Sequence, residues 1–347
     1  MARGHAVATA CGLALLWGGC AGGDAGPGSV PSRQVVVYSA LDREFAGPVL
    51  VAYAQRTGIE VRSKFDVEST KTVGLTNLIV AEAARPRCDL FWNNEILNTL
   101  RLREKGLLAP FAPKHAGDVP APFKARDGTW YGFAGRARIL IVNTRMVPQG
   151  RRPEGIEDLL DPAWQGKIAI AKPLFGTTAT HAACLFAAWG EAKAEAFFKG
   201  LKANGVQVLS GNKQVATAVG SGQAAFGLTD TDDAMGEINA GSPVAIVYPD
   251  RGTDGLGTLF IPNTLAVIKG APHAREAEAL AGFLLSPEVE AALADGPSAQ
   301  IPLLKSTATA ARVETPRTVH AMAADFEEAA RLWDRVAAFL TAEFAGG

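Results

Sequence analysis

Two stretches of the chain set hydroxyl side chains directly ahead of apolar helical patterns. One is Ser69-Thr70-Lys71-Thr72, before the periodic run 72–84. The other is Phe175-Gly176-Thr177-Thr178-Ala179-Thr180, before the apolar run 181–189. Ser210-Gly211-Asn212 is a third polar loop of this kind. The first N–H groups of a helix lack partners within it, and the helix dipole is positive there, so such loops can hold an anion. A single loop of this composition more commonly just caps its helix. The complementary chemistry sits in two acidic stretches. Trp92-Asn93-Asn94-Glu95 follows a short strand pattern, and Asp230, Asp232 and Asp233 follow an apolar one. Clustered carboxylates suit a hard cation, because oxygen donors select such ions. At a surface the same residues simply form turns. Helix starts that hold an anion, facing carboxylates, fit a small ligand of mixed charge. An aminoalkylphosphonate and a metal–anion complex both have that character.

Catalytic signatures are missing. The sequence has no G-x-S-x-G elbow, H-E-x-x-H helix, Walker loop or G-x-G-x-x-G fingerprint. His181 beside Thr180, and Ser39 near Asp42, come nearest to a nucleophile with a base. His181 opens an apolar helix and reads as a packed residue. The five His show no metal-ligand spacing. No catalytic residue and no enzyme activity are expected. Composition narrows the class further. Lys and Arg number 34 against 35 Asp and Glu, and this near-neutral balance argues against a nucleic-acid partner. With 48% hydrophobic and 20% charged residues, the chain has material for real cores and is not a disordered one. Its 347 residues suggest about two domains.

The elements that must position these loops alternate between strand and helix, which implies an α/β sheet with sites at strand ends. Gln34-Val35-Val36-Val37-Tyr38-Ser39, residues 59–65 and Asp89-Leu90-Phe91-Trp92 read as strands, with helices over 46–56, 72–84 and 96–104 between and after them. Gly135-Arg136-Ala137-Arg138-Ile139-Leu140-Ile141-Val142-Asn143-Thr144 opens a second block as a strand. Strands over 167–171 and 224–228 follow, with helices over 181–189, 192–201 and 215–221; the strand at 224–228 ends in the turn Thr229-Asp230-Thr231-Asp232-Asp233. A third block has a strand over 259–268 and helices over 274–285, 287–294 and 326–344.

The N-terminus reads as an address. Residues 1–20 form a signal of lipoprotein type, and Leu16-Trp17-Gly18-Gly19-Cys20 resembles a bacterial lipoprotein cleavage box with Cys20 as the lipidated residue. Residues 21–33 are a Gly- and Pro-rich tether. Cys88 and Cys184 are expected to stay two separate buried thiols.

VVVYSALD, DLFWNNE, GRARILIVNT, FGTTATHAA, the TDTDD turn and IPNTLAVIKGAPH occur in the order seen in periplasmic substrate-binding proteins of ABC importers. The chain is most similar to their ferric-iron-binding-like branch. The resemblance implies a type II periplasmic-binding α/β fold, a Venus flytrap of two lobes on a two-crossing hinge. Residues 34–134 and 260–300 would form lobe 1; residues 135–259 and 301–347 would form lobe 2. It implies a periplasmic or extracytoplasmic solute-binding component, anchored to the membrane only through its N-terminal lipid, with permease and ATPase partners. A secreted hydrolase or a non-transport lipoprotein on the same fold is the alternative. The ligand-binding set it implies is Ser39, Ser69, Thr70, Thr72, Asn94, Glu95, Gly176, Thr177, Thr178, Asn212, Asp230, Asp232 and Asp233. Glu95 and Asp232 are its metal candidates. No cofactor is expected beyond a bound metal ion with a synergistic anion. The sequence departs from the family where a Tyr pair usually stands, since Asp232-Asp233 occupy that place, and Ala40-Leu41 stand where a His is usual.

Overall fold

Short β-branched runs become strands here, and amphipathic runs between them become helices. The computed structural model describes residues 33–66, 72–252 and 255–344. The signal with Cys20, the tether up to residue 32, Ser69 and Thr70 lie outside the described residues. The chain begins β1 (Gln34–Ser39), α1 (Arg43–Thr57), β2 (Glu60–Phe65), α2 (Val73–Ala81), β3 (Leu90–Asn93), α3 (Leu97–Glu104) and β4 (Leu108–Ala109). It continues with β5 (Tyr131–Asn143), β6 (Ile168–Ala171), α4 (Gly176–Trp189), α5 (Glu191–Ala203), β7 (Gln207–Leu209), α6 (Asn212–Gly220), β8 (Phe226–Asp230) and α7 (Thr231–Asn239). It closes with β9 (Val244–Val247), β10 (Phe260–Ile268), α8 (Ala274–Leu284), α9 (Pro287–Asp295) and α10 (Phe326–Phe344).

The strands hydrogen-bond in the order β2-β1-β3-β10-β5-β8-β6-β7, with β4 on β10 and β9 on β5. Strand β5 is the axis. Its first half pairs antiparallel with β10, from Tyr131 opposite Leu265 to Ala137 opposite Phe260. Its second half pairs antiparallel with β8, from Arg138 opposite Asp230 to Val142 opposite Phe226. One strand therefore belongs to two half-sheets, and the changeover falls between Ala137 and Arg138. Each half-sheet also carries parallel pairs: β1 with β2 and β3, and β6 with β7 and β8. Every residue of β5 is buried, as a strand covered on both faces requires.

A further segment meets the axis beside the changeover. Gly135 and Ile301 exchange both backbone hydrogen bonds, at 2.8 and 2.7 Å. The buried carboxylate of Glu290 fixes this crossing: it accepts from the amides of Ala134, Leu303 and Leu304 and from the Thr307 hydroxyl. Helix α10 lies across α4, α5 and α3. Its Phe339 and Phe344 pack on Phe186 and Phe198 of α4 and α5. Arg103 of α3 reaches its Glu327 at 2.6 Å. The helix thus rests on elements from both half-sheets.

At the site, two helices begin earlier than the sequence pattern implies and a third is not expected at all. Helix α4 starts at Gly176 rather than at His181, so Thr177, Thr178 and Thr180 are helical and not loop residues. Helix α6 starts at Asn212 rather than 215. The expected Asp230–Asp233 turn is instead the start of α7, a helix the pattern does not show. In each case Ser, Thr, Asn, Asp or Gly at a helix start looks like a loop, because these residues compete locally for backbone hydrogen bonds. Cys88 and Cys184 are both buried free thiols, and burial pushes both pKa values up.

Candidate functional site

Arg136 and Arg138 alternate along β5, so both side chains leave the same face of the strand. Both are buried, with exposures of 2% and 0%. The β5–β8 register puts Asp230 directly opposite Arg138. The Arg138 Nη1 donates to Asp230 Oδ1 at 2.7 Å, to Asn212 Oδ1 at 3.1 Å and to Thr177 Oγ1 at 3.2 Å. Its Nη2 donates to Thr178 Oγ1 at 3.2 Å. The other Asp230 oxygen accepts from Thr177 Oγ1 at 2.5 Å and from Asn212 Nδ2 at 3.1 Å. Thr177 and Thr178 open α4, Asn212 opens α6 and Asp230 is the N-cap of α7. Three helix N-termini therefore meet at one carboxylate, where their dipoles favour negative charge. Gly176 begins α4 with a φ of 56°, a conformation that glycine holds without strain.

Arg136 lies one step along the strand. Its Nη1 donates to the Asn94 carbonyl and its Nη2 to Asn263 Oδ1, each at 3.1 Å. Its Nε is 3.5 Å from Asp232 Oδ2. Burial opposes the Arg136 charge; the carboxylates of Asp232, Asp230, Asp233 and Asp42 outweigh it and raise the pKa above the ordinary arginine value. One carboxylate oxygen from each of Asp230, Asp232 and Asp233 lies within 4.8 Å of the others, close enough for a single cation to touch all three. Asp232 and Asp233 occupy the first turn of α7, where the dipole also stabilises them.

Glu95 faces this cluster from the other half-sheet. It is fully buried and accepts from Asn93 Nδ2 at 2.8 Å, from the Asn98 amide at 3.0 Å and from Thr180 Oγ1 at 2.7 Å. The last bond ties the β3–α3 loop to α4. Thr72 joins through Asn98, whose Nδ2 donates to its hydroxyl at 3.0 Å. Buried polar atoms without a hydrogen-bond partner concentrate around these residues: Asn94 Oδ1, Arg138 Nε and His181 Nδ1 are three of them. Burial, then the nearby Arg138, holds the His181 pKa well below its ordinary 6.5, so the ring is neutral.

The structure thus brings Thr177, Thr178, Asn212, Asp230, Asp232 and Asp233 into one cluster, with Gly176 at its edge. It connects Asn94, Glu95 and Thr72 to that cluster through Arg136, Thr180 and Asn98. Ser39 is buried, and its hydroxyl donates to the Leu41 carbonyl at 3.3 Å. Sequence reasoning missed Arg136, Arg138, Thr180 and Asn263. A signal for the first two existed: charges at alternate positions of an otherwise apolar strand need buried partners. The four tyrosines, Tyr38, Tyr53, Tyr131 and Tyr248, are all elsewhere. Tyr38 donates to Glu82, Tyr131 to the Phe111 carbonyl, and Tyr248 accepts from the Glu314 amide. Tyr53 packs on Phe283.

Comparison with known proteins agrees with this architecture. The family described as bacterial extracellular solute-binding protein matches residues 90–329, a span that runs from β3 into α10. The chain is 26% identical over 295 residues to iron uptake protein A1 of Synechocystis sp., covering 80% of this chain and 79% of that one. Iron-bound HitA from Pseudomonas aeruginosa superposes with a TM-score of 0.80 at 23% identity, over 89% of this chain and 99% of that one. AfuA from Actinobacillus pleuropneumoniae, with exogenous fructose-6-phosphate bound, also gives 0.80 at 21% identity, over 90% and 99%. These likenesses show the type II periplasmic-binding fold, a curled mixed sheet flanked by helices. Among the described residues, no helix is long and apolar enough to cross a membrane. The chain belongs to the bacterial extracellular solute-binding proteins, a family of binders and not of enzymes.

Proposed function

We propose that the protein captures ferric iron outside the cytoplasm and presents it to the permease and ATPase of an ABC importer. The observation that carries this reading is the set of three carboxylates, Asp230, Asp232 and Asp233, with oxygens within 4.8 Å. Two buried guanidinium groups, Arg136 and Arg138, stand against four carboxylates when Glu95 is included. The cluster is therefore net negative, and it attracts a cation. Carboxylate oxygens are hard donors and suit a hard ion. The name of the Synechocystis relative, an iron uptake protein, supports the same cargo. The hydroxyls of Tyr38, Tyr131 and Tyr248 are engaged with Glu82, the Phe111 carbonyl and the Glu314 amide, and none of the four tyrosines belongs to the carboxylate cluster, so iron held here would have carboxylate and not phenolate ligands.

In this reading residues 34–134 with 260–300 form one lobe and residues 135–259 with 301–347 the other. The changeover in β5 and the neighbouring β10 would serve as the hinge. Glu95 ties the lobes together through Thr180, and with three donors on its two oxygens it keeps one lone-pair direction open to a metal. Cys20 would carry the lipid that keeps the protein at the membrane.

One observation favours a second cargo. Arg138 and the Thr177 hydroxyl now donate to Asp230, and the Thr178 hydroxyl to Asn212; a phosphonate that displaced Asp230 would take over such donors, so a small phosphonate-bearing zwitterion is the competing ligand. The fold admits both, since its relatives include an iron-bound and a sugar-phosphate-bound protein. Calorimetric titration of the metal-free protein separates the two. Ferric nitrilotriacetate is expected to bind without the visible charge-transfer band of a tyrosinate complex. Heat from an aminoalkylphosphonate and none from iron would replace the iron reading with the second one.

A further inference from the structure

Arg138, Thr177, Thr178 and Asn212 at converging helix starts form a receptor for an oxyanion. In this chain the receptor is already filled from within. Asp230 takes the shortest donor contact of Arg138, 2.7 Å, together with the Thr177 hydroxyl and the Asn212 amide. Thr178 turns its own hydrogen to Asn212 Oδ1 at 2.9 Å, which holds that amide in the orientation that donates to Asp230. The position is not adventitious. Asp230 ends β8, its register against β5 sets it opposite Arg138, and it is 3% exposed.

We infer that Asp230 is a built-in anion, so that this site binds its ligand without a separate phosphate, carbonate or other oxyanion. The inference rests on the reading of this cluster as the ligand site and specifies the ligand class: a cation or a cationic group, arriving alone. A carboxylate offers about four lone-pair directions, and three donors are engaged here, so one remains for a cation. An incoming oxyanion would have to expel Asp230 toward Asp232 and Asp233, adding charge where three carboxylates already crowd. That repulsion, with Arg138 fixed in the strand, disfavours exchange.

Titration with inorganic phosphate tests this directly. The wild-type protein is expected to show no phosphate binding, whereas Asp230→Ala empties the receptor and gains it. The gain should be on the order of tenfold or more, the scale of a charge-assisted hydrogen bond. Asp230→Asn keeps the shape while removing the charge; added phosphate should raise its melting temperature and leave that of the wild type unmoved. In the wild type, affinity for ferric nitrilotriacetate should not change when phosphate is added, a measurement that needs no variant to fold. Phosphate binding by the wild type as tight as by the variants, or iron affinity that rises with phosphate, overturns the inference. So does the absence of any phosphate effect on both folded variants. If the variants gain phosphate while the wild type ignores iron, the built-in anion stands and the iron cargo falls.

Discussion

Arg138 is charged, fully buried and held by four different side chains, Thr177, Thr178, Asn212 and Asp230. Such a group is costly to desolvate, and its partners only offset that cost when the whole network is intact. Arg138→Met removes the cation and leaves Asp230 buried without its counter-charge. Breaking a buried pair from one side costs about 3–5 kcal/mol, so the urea midpoint should fall by the corresponding amount. Arg138→Lys should not rescue it, because a single ammonium cannot reproduce the planar fork. An unchanged midpoint in Arg138→Met would show that the network does not hold the cluster together. His181, near this network, makes a separate prediction. Its folded pKa lies well below the ordinary 6.5, through burial first and Arg138 second. On acidification the unfolded chain takes up a proton near 6.5 that the folded chain refuses. Stability therefore rises with pH in the window below 6.5 and is lost as pH falls through it. His181→Gln has nothing to protonate, so its melting temperature should fall less than that of the wild type between about pH 7 and about pH 5.5. Parallel curves for the two proteins would mean that the folded His181 titrates normally.

Most elements with an apolar pattern were legible, although the short apolar strand β9, Val244–Val247, was passed over; helix starts built from polar residues were not legible. Helix α10 falls on Phe326–Phe344 as expected, because one apolar stripe with Trp333, Val336 and Leu340 runs its whole length. Helix α7 was not legible. Its first turn, Thr231-Asp232-Asp233, has turn composition, and only the fold shows that the Asp230 N-cap starts a helix there. The acidic and Thr-Thr halves of the site were visible as residue types. Their joining through Arg136 and Arg138 was not, since it depends on which strands β5 borders, and pairing partners distant in sequence leave no local trace. The same register makes a sharp test at Gly227 of β8. A methyl group there would lie 2.5 Å from the Ala169 carbonyl oxygen and 2.6 Å from Val215 Cγ1. The first obstacle is backbone of the paired strand β6 and cannot swing away. Gly227→Ala should therefore cost about 1–3 kcal/mol by overpacking and shift β8, which carries Asp230, away from β6. Denaturation and ligand titration of the same sample read both effects, and a variant with wild-type stability would refute the close approach.

For the whole molecule, the question is what holds the two half-sheets in the arrangement that forms the site. Strand β5 is common to both and cannot by itself set the angle between them. Helix α10 lies on α3 from one side and on α4 and α5 from the other, and Glu95 accepts from Thr180 across the site. Glu95–Thr180 is the part of this connection that lies beside the three aspartates, so it is the part expected to respond to ligand. A hydrogen bond to a charged group contributes about 1.5–3 kcal/mol, enough to shift an open–closed equilibrium by roughly ten- to a hundredfold. Thr180→Val keeps the shape of the side chain and deletes the donor. If the ligand selects the closed arrangement, the variant must spend ligand-binding energy on closing that the wild type does not need. Its apparent affinity should then fall by up to the same factor, with no change in any group that faces the ligand. Small-angle scattering should show a larger radius of gyration for ligand-free Thr180→Val than for ligand-free wild type, and equal radii once both are saturated. Equal ligand-free radii with equal affinities would show that Glu95–Thr180 does not govern closure, and the burden would pass to α10.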